Sequence, residues 1–172
     1  MKMKKRYYLL LSLFFILLFG CNTEKQISKY SESVGDIEYN PEVDNHKFLL
    51  CNEKNIYQYF NDSNGLEYKG EKIVIDKIFH ENYNNLNILG ETGLIRIRFI
   101  VNCKGETDRF RVLGMDEYYG QKAFDKNITD QLLKITKGLS GWTPKKINGQ
   151  EIDYYQYLIF KIVNGNLIEI LP

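Results

Sequence analysis

The sequence predicts an α+β domain, in which a small antiparallel sheet of about four strands carries a helix on one face and is preceded by two short helices. Residues 93–112 alternate between apolar and polar side chains on both sides of a Gly-containing turn, which is typical of a β-hairpin. Residues 122–141 place apolar side chains at helical spacing. Two further strand-like runs follow, and the Asn164-Gly165 pair between them predicts a tight turn.

Residues 1–20 are predicted to be a lipoprotein signal peptide and not part of the fold. Four basic side chains come first, and residues 7–19 are almost wholly apolar but shorter than the ~20 residues of a spanning helix. Gly20 then precedes Cys21, which resembles a bacterial lipobox, the motif at which a cysteine is acylated and becomes the new N-terminus. An ordinary secretory peptide and an uncleaved anchor are the alternatives. We predict lipidation at Cys21.

Removal of this leader changes the charge of the chain. The whole chain has 23 basic and 22 acidic residues, so losing the four basic residues of the leader leaves 19 against 22, a net charge of −3. A mildly acidic chain argues against nucleic acid as a partner. Asn22 follows the cysteine where an Asp would resemble an inner-membrane retention signal. The outer membrane is therefore the expected location, in preference to the inner one.

Residues 21–45 are predicted to form a flexible tether, because they are polar and show no sustained hydrophobic period. Residues 46–172 are long enough for a single domain with its own core. This domain contains Cys51 and Cys103. An even pair of cysteines in an exported protein predicts a disulfide, with two buried free thiols as the alternative.

Two short helices are predicted before the sheet. The first would begin near Asn52, a candidate N-cap, and would present Ile56, Tyr57 and Phe60 at helical spacing. The second would cover residues 71–83, where apolar side chains again recur with a helical period.

The strands are predicted from alternation. Residues 95–103 and 109–112 form the hairpin, and residues 154–163 and 167–171 form the third and fourth strands. The core face of the first strand is expected to consist of Ile95, Ile97, Phe99, Val101 and Cys103.

The order of these elements, with the motifs between them, resembles the C-terminal domain of TonB-like proteins. The resemblance covers residues 93–162 and is carried by "IRFIVNCKGETDRFRV", "LLKITKGLSGWTPKKINGQ" and "YLIFKI". It implies a TonB C-terminal-like unit over residues 93–172. Trp142, Pro144 and Gly149 are expected to be framework residues of this unit. A bulky Trp can cover the open end of the core while Pro restrains the backbone beside it.

TonB proteins carry energy from an inner-membrane motor to outer-membrane transporters, through a spanning helix, a long Pro-rich linker and this C-terminal domain. The present chain resembles only the last part, so the resemblance implies a relative without the motor function. We expect a non-catalytic protein-interaction module, held to the membrane by its N-terminal lipid and associated with envelope proteins of a transport or assembly complex. In the family the third strand of the sheet accepts the partner's extended segment. Here residues 167–171 are expected to occupy that position.

Catalysis is not expected from this sequence. His46 and His80 share no metal-ligand spacing with Cys51 or Cys103, and Ser140 lacks the context of a nucleophile elbow. The sequence therefore predicts neither an enzyme nor a bound metal or cofactor.

A surface that binds anions is the alternative function. The sheet face opposite the helix would combine guanidinium groups with phenol rings, which suit carboxylates, phosphates and aromatic ligands. A lipoprotein with such a face would bind an anionic small molecule or a glycan. The competing interpretation is a solvated face, partly covered by the N-terminal helices and paired with Asp and Glu. The residues of this candidate site are Arg96, Arg98, Arg109, Arg111, Tyr155, Tyr157 and Lys161.

Overall fold

The computed structural model describes residues 35–58 and 66–171, and this part of the chain contains two helices and six strands. The leader, Cys21 and residues 21–34 of the predicted tether lie outside the described residues. None of the helices in the described part has the length and apolar content needed to cross a membrane. In chain order the elements are α1 (Glu71–Asn82), β1 (Gly93–Val101), β2 (Thr107–Met115), α2 (Lys126–Gly138), β3 (Lys145–Ile147), β4 (Gln150–Ile152), β5 (Tyr154–Val163) and β6 (Asn166–Leu171).

Four of the strands form one antiparallel sheet in the order β2-β1-β5-β6, and β3 pairs with β4 in a separate short hairpin. The predicted α+β fold with a four-stranded antiparallel sheet is thus confirmed. β1 and β5 are the central strands, and most of their residues are buried.

The core lies between the sheet and the two helices. Ile95 stands opposite Phe160, and Ile97 opposite Leu158, on the face of the sheet that meets the helices. Phe79 of α1 reaches the same place, with its ring centroid 4.7 Å from that of Phe160. We call this the core face of the sheet and the opposite one the outer face. The alternation that predicted the hairpin therefore assigns its faces correctly.

α2 is the helix predicted within residues 122–141. The side chain of Asp125 caps it by accepting a hydrogen bond of 2.8 Å from the backbone N–H of Asn127. Ile128 and Leu132, one helical turn apart, are fully buried against the sheet. The helix ends at Gly138, inside the range with helical spacing.

β2 contains a β-bulge where it pairs with β1. Arg98 pairs with Arg111 and Ile100 with Asp108, so Phe99 alone opposes two residues of β2. Arg109, the first of these two, has a left-handed backbone (φ 56). Phe110, the second of the two, stacks on Phe99 in the core, with ring centroids 5.1 Å apart.

The prediction of the first short helix is wrong for residues 52–58, where the chain is extended or forms turns. Tyr57 forms a parallel bridge to Tyr154 instead. Its N–H donates to the Asp153 carbonyl at 2.9 Å, and its carbonyl accepts from the N–H of Tyr155 at 2.8 Å. These main-chain groups bond to the sheet and so are not used in a helix. α1 is thus the helix that precedes the sheet in the described chain.

Residues 35–50 cross the outer face of the sheet, and we call them the strap. The prediction of a flexible tether is therefore wrong for residues 35–45. Ile37 is buried and packs with Ile100 and Tyr155 of the outer face, and Asp44 is also buried. Two buried side chains among polar ones leave no periodic signal, which is why the sequence indicated a tether.

Candidate functional site

Trp142, which the sequence analysis assigns to the framework, is buried in the core of the domain. Its ring contacts Tyr68 edge-on at 4.9 Å and Phe99 at 5.1 Å between centroids, and the residue is only 4% exposed. The backbone beside it is also paired, since Thr143 N–H donates to the Glu67 carbonyl at 3.0 Å. Trp142 thereby joins the segment before α1 to the segment after α2.

The other two framework residues differ from each other in their surroundings. Pro144 is exposed, with its Cδ close to the turn residue Gly105. Gly149 stands in the tight turn between β3 and β4, where Asn148 and Gly149 both have positive φ angles, 52° and 80°. Gly149 therefore serves the turn, and Trp142 serves the core.

The predicted disulfide joins Cys51 to Cys103, with the two Cα atoms 6.1 Å apart and 52 residues apart in sequence. The buried carboxylate of Asp153 supports both ends of the bridge. One of its oxygens accepts from Cys103 N–H at 2.9 Å, and the other accepts from Asn52 N–H at 2.7 Å. In the described part of the chain this is also the one cluster of Cys, His and acidic groups close enough to hold a metal ion. The two sulfur atoms of this cluster are bonded to each other, so the cluster is a structural disulfide.

Three of the predicted site arginines lie beneath the strap and bind it. Arg98 donates to the carbonyl of Gly35 at 2.8 Å, and Arg111 donates to the carbonyl of Glu38 at 2.8 Å. Arg109 donates to the carbonyl of Ile37 at 3.4 Å. Three guanidinium groups therefore donate hydrogen bonds to the main chain of one extended segment.

Carboxylates complete this arrangement. Arg111 forms a fork with Asp44, in which each terminal nitrogen donates to a separate carboxylate oxygen at 2.7 Å. Arg109 forms an ion pair with Glu53. The structure thus agrees with the competing interpretation of the face, since Asp and Glu pair with these arginines. The covering comes from the strap and not from helices.

Tyr155 belongs to the same cluster and is 2% exposed. Its hydroxyl donates to Asp36 at 3.1 Å and accepts from the N–H of Ile37 at 3.2 Å. Burial raises the pKa of this phenol above its ordinary value, and burial likewise lowers the pKa of the Arg98 guanidinium. The Arg98 guanidinium lies 5.3 Å from the centre of the Tyr155 ring.

The remaining predicted site residues are not part of this cluster. The Arg96 guanidinium stands 4.6 Å from the centre of the Tyr157 ring, and both residues are half-buried. Lys161 is exposed and lies further along β5, in register with Leu94 and Glu169. The structure brings together Arg98, Arg109, Arg111 and Tyr155, but it leaves Lys161 apart from them.

A second surface was not singled out by the sequence prediction. Residues 116–120 form a turn, here called the tyrosine turn, in which Tyr118 is 90% exposed and Tyr119 is 70% exposed. Asp116 holds the turn, because its Oδ1 accepts from the N–H groups of Tyr118 at 2.9 Å and Gly120 at 2.8 Å. Tyr119 has a positive φ of 62°, which is unfavourable for a bulky residue. Two adjacent tyrosines between the predicted hairpin and the predicted helix were the available signal in the sequence.

A cleft of about 230 Å³ adjoins the tyrosine turn. Tyr119 and Glu117 line one side, and Lys161 of β5 lines the other. Its apolar lining comes from Leu94 and Ile162. Exposed aromatic side chains and an apolar cleft are thus adjacent at this end of the sheet.

The predicted position of the last strand is also seen. β6 pairs with β5 and so occupies the edge of the third strand of the main sheet. Leu167 and Ile170 of β6 are buried in the core, and Leu167 N–H donates to the side chain of Asn85 at 3.0 Å. β6 is therefore an integral strand, and its removal would expose core residues.

Comparison of the chain with models of protein families, with curated proteins and with solved structures finds no match. The α+β architecture accordingly rests on the structure, and the resemblance to the TonB C-terminal domain rests on the sequence motifs.

Proposed function

We propose that this protein is an exported, lipid-anchored and non-catalytic protein-interaction module of the bacterial cell envelope. The single observation that carries the proposal is the tyrosine turn beside its cleft. Tyr118 and Tyr119 expose two large rings to solvent on a turn whose backbone is hydrogen-bonded at several points. Exposed aromatic groups next to an apolar cleft are typical of protein contact sites.

The turn is suited to binding because it is already ordered. Its four hydrogen bonds all involve Asp116: two are accepted by its side chain, one is donated by its N–H to the Gly120 carbonyl, and one is accepted by its carbonyl from Tyr119 N–H. A bulky residue in the left-handed region costs about 1 kcal/mol, so the surrounding bonds must outweigh this cost. A partner that contacts the two rings then loses little conformational entropy in the turn.

The cellular location in this proposal comes from the sequence. The leader resembles that of a lipoprotein, with Cys21 as the acylated residue. The disulfide between Cys51 and Cys103 supports export, because disulfides persist in oxidising compartments. The resemblance to TonB-like proteins further favours envelope partners in an outer-membrane transport or assembly complex, and Asn22 favours the outer membrane.

The second candidate, capture of an anionic small molecule or glycan by the arginine face, is less favoured. Arg98, Arg109 and Arg111 already donate to the strap, and Arg111 is neutralised by Asp44. An anion would have to displace these groups. A co-purified anionic small molecule would nevertheless support this candidate over the first.

In-cell crosslinking tests the leading proposal. A photo-crosslinking amino acid is placed at position 118 of the full chain, and the matched control carries it at Lys77, an exposed position on α1. We expect position 118 to yield a discrete envelope protein that position 77 does not yield. Identical products from the two positions, or none from position 118, would contradict a specific contact at the tyrosine turn.

A further inference from the structure

The strap is bound in the manner of a peptide ligand. Arg98 and Arg111 donate to main-chain carbonyls of residues 35 and 38 at 2.8 Å, and Arg109 donates to that of residue 37 at 3.4 Å. Contacts to carbonyl groups do not depend on which side chains the bound segment carries. The strap also has no helix or strand of its own between residues 35 and 40.

Two buried side chains anchor the first part of the strap. Within residues 35–44, only Ile37 and Asp44 are buried, and they are seven positions apart. Ile37 packs on Ile100 and Tyr155, and Asp44 forms the two-oxygen pair with Arg111. Later in the strap, Phe48 and Leu50 are half-buried against the same apolar cluster as Ile37.

We propose that the outer face of the sheet is a peptide-binding surface, occupied in this conformation by the protein's own strap, and that it accepts an extended acidic segment of a partner protein when the strap leaves. This surface is separate from the tyrosine turn. The proposal therefore stands even if Tyr118 and Tyr119 bind nothing.

The charge of the surface defines the ligand. Arg98, Arg109 and Arg111 are gathered on two neighbouring strands, and burial beneath a peptide strengthens their attraction for carboxylates. An extended segment would place its carbonyl groups along the arginines. The same segment needs a branched apolar residue for the site of Ile37 and an acidic residue about seven positions later for Arg111.

The covalent structure allows exchange without loss of the fold. The strap precedes Cys51, which stays fixed to Cys103 by the disulfide and to the carboxylate of Asp153 through Asn52. An open cleft of about 450 Å³ borders the strap, with Arg109 and Tyr155 in its lining. An incoming segment can therefore meet these side chains before the strap has fully left.

The test compares peptide binding by the full chain, purified in mild detergent, and by a loosened variant carrying Ile37→Ser and Asp44→Ala. The probe is a fluorescent synthetic peptide with the sequence of residues 34–47. The matched control variant carries Glu42→Ala and Val43→Ser, two exposed strap positions. Limited proteolysis reports whether the strap has left, and near-UV circular dichroism reports whether the core is intact.

We expect the loosened variant to bind the probe at least tenfold more tightly than the wild type and the control variant. A probe with Asp44→Ala should bind at least tenfold more weakly than the unchanged probe, and adding Tyr155→Phe to the protein should also weaken binding. A loosened variant whose strap is cleaved, whose core is intact and whose affinity is unchanged would overturn the proposal. A concentration-dependent dimer of that variant would overturn it as well, because the face would then take the strap of a second copy.

Discussion

Asp44 and Arg111 connect the strap to the sheet through two hydrogen bonds of 2.7 Å, and the Asp44 side chain is 1% exposed in this pair. The Arg111 side chain is 22% exposed. Residue 44 is far from β2 in sequence, and this pair is one of the long-range polar contacts that hold the strap.

Replacement of Asp44 by Ala should lower the free energy of unfolding by about 2 kcal/mol, since it leaves a half-buried guanidinium without its carboxylate. Glu42→Ala is the matched control and should change the free energy by less than about 0.5 kcal/mol, because Glu42 is exposed. Urea denaturation with the disulfide intact measures both values. Equal effects of the two substitutions would show that the pair contributes nothing specific.

The contribution of Asp44 should depend on pH. Burial by itself raises the pKa of this carboxyl, but the hydrogen bonds from Arg111 and from the Asn40 N–H outweigh burial and leave the pKa below its ordinary value. A carboxyl whose pKa is lower in the folded state stabilises the fold fully above its unfolded pKa, about 3.9, and loses this contribution as pH falls through the folded value. The difference in unfolding free energy between wild type and Asp44→Asn should thus be constant near pH 6–7 and shrink below about pH 3.9. If the difference grew as the pH fell, the pKa of Asp44 could not be lowered in the folded state, and the assignment would be refuted.

Loss of the disulfide should destabilise the domain considerably. Cys51 and Cys103 close a loop with a sequence separation of 52, for which the chain-entropy relation gives about 4 kcal/mol. The double variant Cys51→Ser and Cys103→Ser should show this loss in urea denaturation at neutral pH. Wild-type protein in excess reductant is the control and should match the variant. A loss below about 1 kcal/mol would mean that the unfolded chain is already constrained without the bridge.

Gly105 and Gly149 are turn glycines that share a φ of +80°. Comparing substitutions at the two positions therefore distinguishes the cost of backbone strain from the cost of steric overlap. A Cβ on Gly149 would meet nothing within 4 Å, whereas a Cβ on Gly105 would lie 2.5 Å from the carbonyl oxygen of Trp142. Gly149→Ala should therefore cost about 1 kcal/mol, the strain of a left-handed residue. Gly105→Ala should cost at least about 3 kcal/mol, because the framework contact at Trp142 must also shift. Thermal unfolding of the two variants side by side measures the difference, and equal melting temperatures would exclude the close contact.

The elements of the sheet were predictable because each carries a regular period. Ile95, Ile97 and Phe99 alternate with polar residues in β1, and Ile128 and Leu132 mark one face of α2. Such patterns arise when one face of an element is buried along its length. The disulfide was predictable for a different reason, since the two cysteines of the predicted domain have one possible pairing.

The strap and the tyrosine turn were not predictable in this way. The strap crosses the strands, so only Ile37 and Asp44 are buried and no period results. Tyr57 lies in an apolar pattern that resembles a helix, but its main-chain groups bond to Asp153 and Tyr155 of the distant sheet. Long-range pairing of this kind overrides local spacing. The candidate arginines were identified correctly as one face, and their actual neighbours depend on a segment whose path the sequence does not encode locally.

The place of the disulfide also determines how the domain would respond to mechanical load. A pull on its N-terminal side acts first on the strap, and peeling residues 35–50 would lengthen the chain by at most about 50 Å. The load then reaches Cys51 and passes through the covalent bond to Cys103, directly after β1. Segments between the two cysteines, including α1, are bypassed. Under load the strap would therefore extend first, and the disulfide would keep the force from acting on α1.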